Sequence, residues 1–370
     1  MNVSTEDTRP AAPRTNLLDL SPDAALAVLR DWLDARGEPA YRATQIAARL
    51  WTRPVNGFAD MTELPKHVRE QLSDAFDMPR LELTTRQSST DGTEKFLFRL
   101  HDGQLIETVA IPDGDRMTLC ISSQAGCALQ CAFCATGAMG FQRNLSPSEI
   151  AGQVRELRML EPAILATNIV FMGMGEPLMN WKAVDVTLSL LNDPRALGIG
   201  ARHITISTVG ILPGIVALAA RPEQFRLAIS VHAPTDALRH TLMPVNTKYP
   251  LADVIAAARD FDRRVTFEYV LLGGVNDQPE HAAQLAVLAR DCRAFVNLIP
   301  LHPGGSMGFT PSSSKVIAGF AHALRVRNVE TAVRRSRGLD IAAACGQLRT
   351  ERLGRRLPIA AKQDSEVNVM

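Results

Sequence analysis

Aromatic residues are scarce in this chain: Phe, Trp and Tyr make up 5% of its 370 residues, so the core must rest on Ala, Leu, Val and Ile. No run of 18 or more apolar residues occurs, which excludes a transmembrane helix. The opening residues, MNVSTEDTRPAAPRTN, lack the apolar centre of a secretory signal. Charge of one sign is also lacking. Lys and Arg number 40 against 39 Asp and Glu, a net charge of +1, so a nucleic-acid partner must be met by a local patch. Six cysteines are too few for a disulfide framework at this length. What remains, 46% hydrophobic and 21% charged, is the composition of a folded chain, expected to be cytoplasmic. At roughly 150 residues per domain, the length allows two or three domains or one large α/β domain with appendages.

Residues 1–17 read as a disordered lead and 18–92 as a helical accessory domain. In the latter, Ser21 and Pro22 stand as N-cap and first helical residue, ahead of Leu26, Leu29 and Leu33 at helical spacing. Further helical stretches cover Ala43 to Trp51 and Pro65 to Leu72. Arg42, Arg49, Arg53, Lys66 and Arg69 give this domain basic residues that suit either a solvated face or RNA. FLFRL and LIETVAI around His101–Gln104 form a hairpin signal. From there to residue 348, short apolar runs (MTLCISS, TNIVFMG, HITISTV, FRLAISV, VTFEYVL, FVNLIPL, ETAVRR) alternate with helical patterns. Ser146 to Glu149 is a capping box, with Leu145 and Ile150 as its staple. Repeated β–α units predict a parallel sheet, doubly wound or closed towards a barrel. Residues 349–370 read as a basic, flexible tail.

Three of the six cysteines crowd into CALQCAFC, as Cys127, Cys131 and Cys134. The stretch follows the run Met117 to Ser123, which puts it in a loop at a strand's C-terminal end, where α/β folds keep their sites. Three thiolates at this spacing suit a [4Fe–4S] cluster with one iron left open. Structural zinc asks for four closed ligands, usually two CxxC pairs, and there is no second pair. Zinc and inert thiols remain the alternatives on spacing alone. Cys120 lies on the strand that leads into this loop, Cys345 in a small-residue loop near the end, and Cys292 on a helical stretch as a core thiol.

CxxxCxxC after a first strand resembles the radical S-adenosylmethionine (SAM) superfamily, and FMGMGEP at the end of the next strand resembles its glycine-rich turn. Longer words are similar to one family within it. GCALQCAFCATGAMGFQRNLSPSEI, SVHAPTDALRHTLMPVN, GGVNDQPEHAAQLA, VNLIPL and RRSRGLDIAAACGQL, together with YRATQ and MTELP, resemble the bacterial dual-specificity RNA methyltransferases over about Gly37 to Leu348. That resemblance implies an incomplete (β/α)6 barrel with a small N-terminal helical domain and a connecting β-hairpin. It implies methylation of C2 of an adenine in 23S rRNA and in tRNA anticodon loops, with a [4Fe–4S] cluster on Cys127, Cys131 and Cys134. Two SAM molecules per turnover and a reduced flavodoxin or ferredoxin-type electron donor are implied as well. By position, Cys345 takes a methyl group from the first SAM, and the second SAM supplies the radical that activates it. Cys120 then takes the C2 proton and closes a disulfide with Cys345, and Glu107 matches the proton acceptor. SAM contacts fall by the same matching on Gly175, Glu176, Ser207, Ser230, Val231 and His232, and on His302, where the family usually has Asn. The barrel's open side is the expected way in for an RNA loop with an unstacked adenine. The competing readings are a sister methyltransferase acting at adenine C8, another radical-SAM enzyme such as an activase, and a non-catalytic, zinc-stabilised RNA-binding protein.

Overall fold

The computed structural model describes residues 14–301, 308–344 and 346–348. Three helices come first: α1 (Pro22–Asp34), α2 (Tyr41–Leu50) and α3 (Lys66–Ala75). Ser21 caps α1 by accepting the Ala24 N–H, and Leu26, Leu29 and Leu33 face inward as their spacing predicts. The packed chain begins earlier than residue 18. Leu17 is fully buried, and Thr15–Asn16 pairs in parallel with Phe76–Asp77.

One ten-stranded sheet holds the rest, and its strand order is the chain order: β1 (Glu82–Ser88), β2 (Glu94–Arg99), β3 (Leu105–Asp113), β4 (Arg116–Cys120), β5 (Asn168–Phe171), β6 (Ile204–Thr208), β7 (Arg226–Ser230), β8 (Val265–Leu271), β9 (Phe295–Pro300) and β10 (Thr331–Val333). Strands β1 to β4 pair antiparallel. From β4 to β10 every pairing is parallel. The crossovers carry α4 (Pro147–Arg158), α5 (Trp181–Asn192), α6 (Leu212–Ala219), α7 (Asp236–Leu242) with α8 (Leu251–Asp260), α9 (Pro279–Asp291) and α10 (Ser314–Arg325). Six β–α units therefore make the expected barrel wall, and β10 adds a short seventh parallel strand. The predicted hairpin is β2–β3, with Gly103 at φ 81° in its turn. Strand β1, inside the stretch read as helical, has no apolar alternation to betray it: ELTTRQS lies at the sheet edge, mostly exposed on both faces. Among the described residues no helix is long and apolar enough to cross a membrane.

Helix α4 joins the two parts of the molecule. Its capping box forms, with Ser146 accepting the Glu149 N–H and Glu149 accepting the Ser146 N–H. Arg155 on this helix is fully buried. Its guanidinium donates to the carbonyls of Leu50 (2.8 Å), the last residue of α2, and Val55 (2.6 Å), shortly after it, and pairs with Glu156 at 3.3 Å. Arg158 reaches the Trp51 carbonyl at 3.3 Å. Burial pulls the Arg155 pKa down to about 10, so the side chain remains charged at neutral pH. Arg155→Ala strands two buried carbonyls and leaves Glu156 to Arg80 alone. We expect a loss of about 2–5 kcal/mol in stability, read by denaturant unfolding, with early proteolytic release of the segment before residue 80.

Candidate active site

The C-terminal ends of the parallel strands surround a cavity of about 820 Å³. Cys120, the last residue of β4, opens onto it. So do Cys127, Cys131 and Cys134 from the loop that follows, which short strands at Gln124–Gly126 and Phe141–Asn144 close off. The loop is held by its backbone: Cys127 N–H donates to the Gly140 carbonyl (2.9 Å) and Ala132 N–H to that of Leu242 (2.9 Å). A backbone hydrogen bond from Leu129 reaches the Cys127 sulfur. Burial pushes the Cys127 thiol up to about 11, and burial with the neighbouring Cys134 and Cys127 raises Cys131 further. The mutual influence of these thiols places them in one electrostatic neighbourhood. No three His, Cys, Asp or Glu side chains among the described residues converge to hold a single metal ion. A cubane cluster takes its three thiolates on three separate irons, a wider set than one zinc accepts. The amide-to-sulfur hydrogen bond and the placing of all three thiols on one cavity fit that cluster.

The turn after β5 lies beside this loop, and its glycines are required by contact. A Cβ on Gly173 would stand 2.6 Å from the Ile121 carbonyl oxygen, and one on Gly175 would stand 2.5 Å from Cβ of Gln124. Gly175 also has φ 99°, where a side chain is strained. Glu176, though it lines the cavity, is buried and spends its carboxylate on the chain itself. Oε1 accepts the Leu178 N–H (3.0 Å) and Oε2 the Val209 N–H (2.9 Å), which ties the β5 turn to the end of β6. Burial raises its pKa to about 7. Ser207, Ser230 and His232 line the same cavity. Val231 does not; it is buried in the core with its N–H on the Glu268 carbonyl. His232 adopts φ 54°, accepts the Val270 N–H at Nδ1 (3.0 Å) and meets the edge of Phe133. Burial, and then the charge of Arg239, pull its pKa down to about 3, so it is a neutral imidazole.

Glu107 stands apart from the cavity wall. It is buried on β3 and paired with Lys95 Nζ at 3.1 Å. Lys95 also donates to the Ala342 carbonyl (3.4 Å), and no sequence signal singled this lysine out. The contact belongs to a larger attachment of the C-terminal loop. Asp91 accepts the Gly338 N–H (2.9 Å), Ser89 donates to Asp340 (2.5 Å), and Thr90 N–H reaches the same carboxylate (3.2 Å). Downstream, Ala135 N–H donates to the Gly346 carbonyl (2.8 Å) and Thr136 Oγ1 to that of Leu348 (2.6 Å). Cys345 and His302 lie outside the described residues; Ala344 and Gly346, on either side of position 345, line the cavity.

Comparison with known proteins agrees with this arrangement. Residues 121–286 match the Radical SAM superfamily, and residues 15–77 match the Ribosomal RNA large subunit methyltransferase N-terminal domain. A probable dual-specificity RNA methyltransferase RlmN of Gemmatimonas aurantiaca is 82% identical over 96% of this chain and 98% of its own length. The chain belongs to the RlmN family. Another probable RlmN, from Synechococcus elongatus, is 46% identical over 90% of this chain and 94% of its own. The crystal structure of a radical SAM methyltransferase from Sphaerobacter thermophilus superposes with a TM-score of 0.84 at 44% identity, covering 91% of this chain and all of that one. As a member of the RlmN family, the protein is a radical-SAM RNA methyltransferase that uses SAM and a [4Fe–4S] cluster.

Two outcomes follow for the site. Cys131→Ala is expected to abolish iron and sulfide binding while circular dichroism stays near that of the parent, because the ligand loop packs against the hydrophobic core and its backbone hydrogen bonds do not depend on the Cys131 side chain. For His232, the folded pKa lies below the unfolded value of about 6.5, so the folded state binds fewer protons between the two. The stability this confers is present above pH 6.5 and is lost as pH falls towards 3. By pH 4.5 the loss is about 2–3 kcal/mol, and His232→Asn, whose Oδ1 replaces the Nδ1 acceptor and which tolerates positive φ, should flatten that part of the metal-free protein's acid melting curve.

Proposed function

We propose that this enzyme methylates C2 of an adenine in 23S rRNA and in tRNA anticodon loops, through an S-methylated Cys345 and a transient protein–RNA adduct. One observation supports the reading above others: Cys120, the three loop cysteines, the SAM-turn glycine Gly175 and both neighbours of Cys345 share a single cavity. Adenine C2 is electrophilic and offers no lone pair to a methyl donor, so polar transfer alone fails there and a carbon radical is required. The cluster, when bound, supplies the electron that cleaves SAM to a 5′-deoxyadenosyl radical, and two SAM molecules serve each turnover.

The chain's own residues divide the remaining work. Cys345 accepts the methyl group of the first SAM and, after hydrogen abstraction from that methyl, carries the carbon that bonds to C2. Once the adduct has given up its odd electron, returned to the cluster, Cys120 takes the C2 proton. A Cys120 thiolate then attacks the Cys345 sulfur, the S–CH2 bond breaks, and the freed carbon takes a proton to become the methyl group. The disulfide left behind needs two electrons from a reductant before the next turnover. Glu107 is the further proton acceptor, paired with Lys95, which also holds the carbonyl of Ala342 ahead of Cys345. Gly175 admits the methionine part of SAM, with Ser207, Ser230 and neutral His232 lining its place. In this reading Glu176 acts by holding the turn in shape, and His302 stands in for the family's Asn as a hydrogen-bonding group. A reduced flavodoxin or ferredoxin-type protein is the electron donor, and a reducing cytosol is the fitting compartment. The sister reaction at adenine C8 uses the same parts; the N-terminal match and DIAAACGQL favour C2.

Each cysteine serves a different step, so their removal separates in time. With RNA, SAM and a reductant, Cys120→Ala should accumulate covalently bound RNA, seen as a nuclease-sensitive shift on a denaturing gel. Cys345→Ala and the double variant should show none. Normal turnover by Cys120→Ala without trapped RNA rejects the two-cysteine route, and mass spectrometry of digested product RNA distinguishes 2-methyladenosine from 8-methyladenosine.

A further inference from the structure

The cavity is not confined to the cluster end of the barrel. Its lining includes the first residue of β4, Arg116, the first of β7, Arg226, and Arg264 just before β8. It therefore runs the length of the parallel strands, and Ser230 lies four residue steps beyond Arg226 on β7, about 13 Å at the usual strand rise. That is the scale of one extruded nucleotide measured from phosphate to base.

The two ends differ. At the C-terminal end, described chain crosses the mouth: the loop of Cys127 to Cys134 is pinned to Leu242, and Gly346 and Leu348 are pinned to the start of the short helix Ala135–Ala138. The side of the barrel is crossed too. After β10 the chain passes to the antiparallel strands, where Arg337 meets Asp113 (3.6 Å) and Gly338 meets Asp91. This strap occupies the open side that the sequence suggested as the way in.

At the N-terminal end the rim is cationic. Arg226 is exposed and has no carboxylate partner among the described residues. Arg264, half exposed, stacks over Phe295 (5.2 Å), and among the described residues its carboxylate neighbour is the largely exposed Glu330 at 3.5 Å. Arg116 and Arg337 share a single carboxylate, Asp113. Burial first, then the charges of Arg264 and Arg202, lower the proton affinity of Arg226. Arginines that repel one another around an opening form a seat for an anion.

We propose that the RNA docks on this N-terminal rim, with backbone phosphates on Arg226 and Arg264, and that the target adenosine passes up the lumen to Cys120. The inference rests on the assignment of an adenosine in RNA as substrate. It makes the rim a phosphate-positioning surface, blind to sequence, while the lumen reads the base.

The test uses the reconstituted full-length enzyme and a 23S rRNA hairpin carrying the target adenosine. In Arg226→Gln/Arg264→Gln, the Kd for the hairpin should rise at least tenfold at low salt. The slope of log Kd against log[KCl] should fall by about one for each phosphate that the variant no longer neutralises. KM for RNA should rise with kcat nearly unchanged. Iron content and melting temperature should match the parent, which separates weaker phosphate binding from misfolding. A double variant that binds the hairpin with the parent's affinity and salt slope, while the parent methylates it, overturns the rim proposal and leaves the function standing. A parent enzyme that forms no methyladenosine in the hairpin or in an anticodon stem-loop overturns both.

Discussion

The site depends on one buried polar junction. The Ser122 hydroxyl, just past β4, donates to the Glu107 carbonyl (2.6 Å) on β3 and accepts the Met174 N–H (2.9 Å) of the glycine turn after β5. Its backbone N–H and C=O are both held at 2.8 Å by the side-chain amide of Gln153 on α4. The same Gln153 oxygen accepts the hydroxyl of Thr108 (2.7 Å). All these groups are buried, so each bond also spares an otherwise stranded polar atom. The junction fixes where β3, the approach to the thiol loop and the SAM turn stand relative to one another. Glycines at 173 and 175 allow that closeness, and the other site residues are arranged around it.

Electrostatics then divide the lumen along its length. Apart from the ligand thiolates, the cluster end is kept low in charge: an imidazole deprived of its proton by burial, and a carboxylate lifted to about 7. Arg239 is the buried cation there, and its guanidinium donates to Asn246 Oδ1 and to the carbonyls of Val209 and Tyr249. The opposite end keeps its charge in water on Arg226 and Arg264. A polyanion is thus attracted where desolvation is small, while radical chemistry is kept in a region of low polarity.

How much of this was legible in the sequence follows from the range of each interaction. Cys127, Cys131, Cys134 and the FMGMGEP turn were readable because their chemistry is set by spacing within a few residues. The α4 capping box and the β2–β3 hairpin were readable for the same reason, and both formed. Strand β1 was missed because an edge strand exposed on both faces carries no hydrophobic alternation. Lys95 was missed because its partners come from another strand and from a loop 247 residues away. Arg155 looked like any helix-face arginine until α2 was placed over it. The position of Glu107 was found by family resemblance, yet its burial needed the sheet register that sets it opposite Leu97. Sequence carried the covalent logic of the site, and tertiary structure supplied its electrostatics.

Strand order that follows chain order has a consequence for assembly. Each new strand adds next to the one made before it, so the wall can grow unit by unit as the polypeptide emerges, with little loop-closure entropy at any step. The contacts of Ser89, Thr90, Asp91 and Lys95 with residues 338–342 break that rule, since they span 247 to 251 positions. They form only after nearly the whole chain has been made. Among the described residues, the seating of the C-terminal loop on the first strands therefore comes after the wall, so a chain that stops short of residue 338 has every strand of the wall but lacks the contacts that fasten this loop.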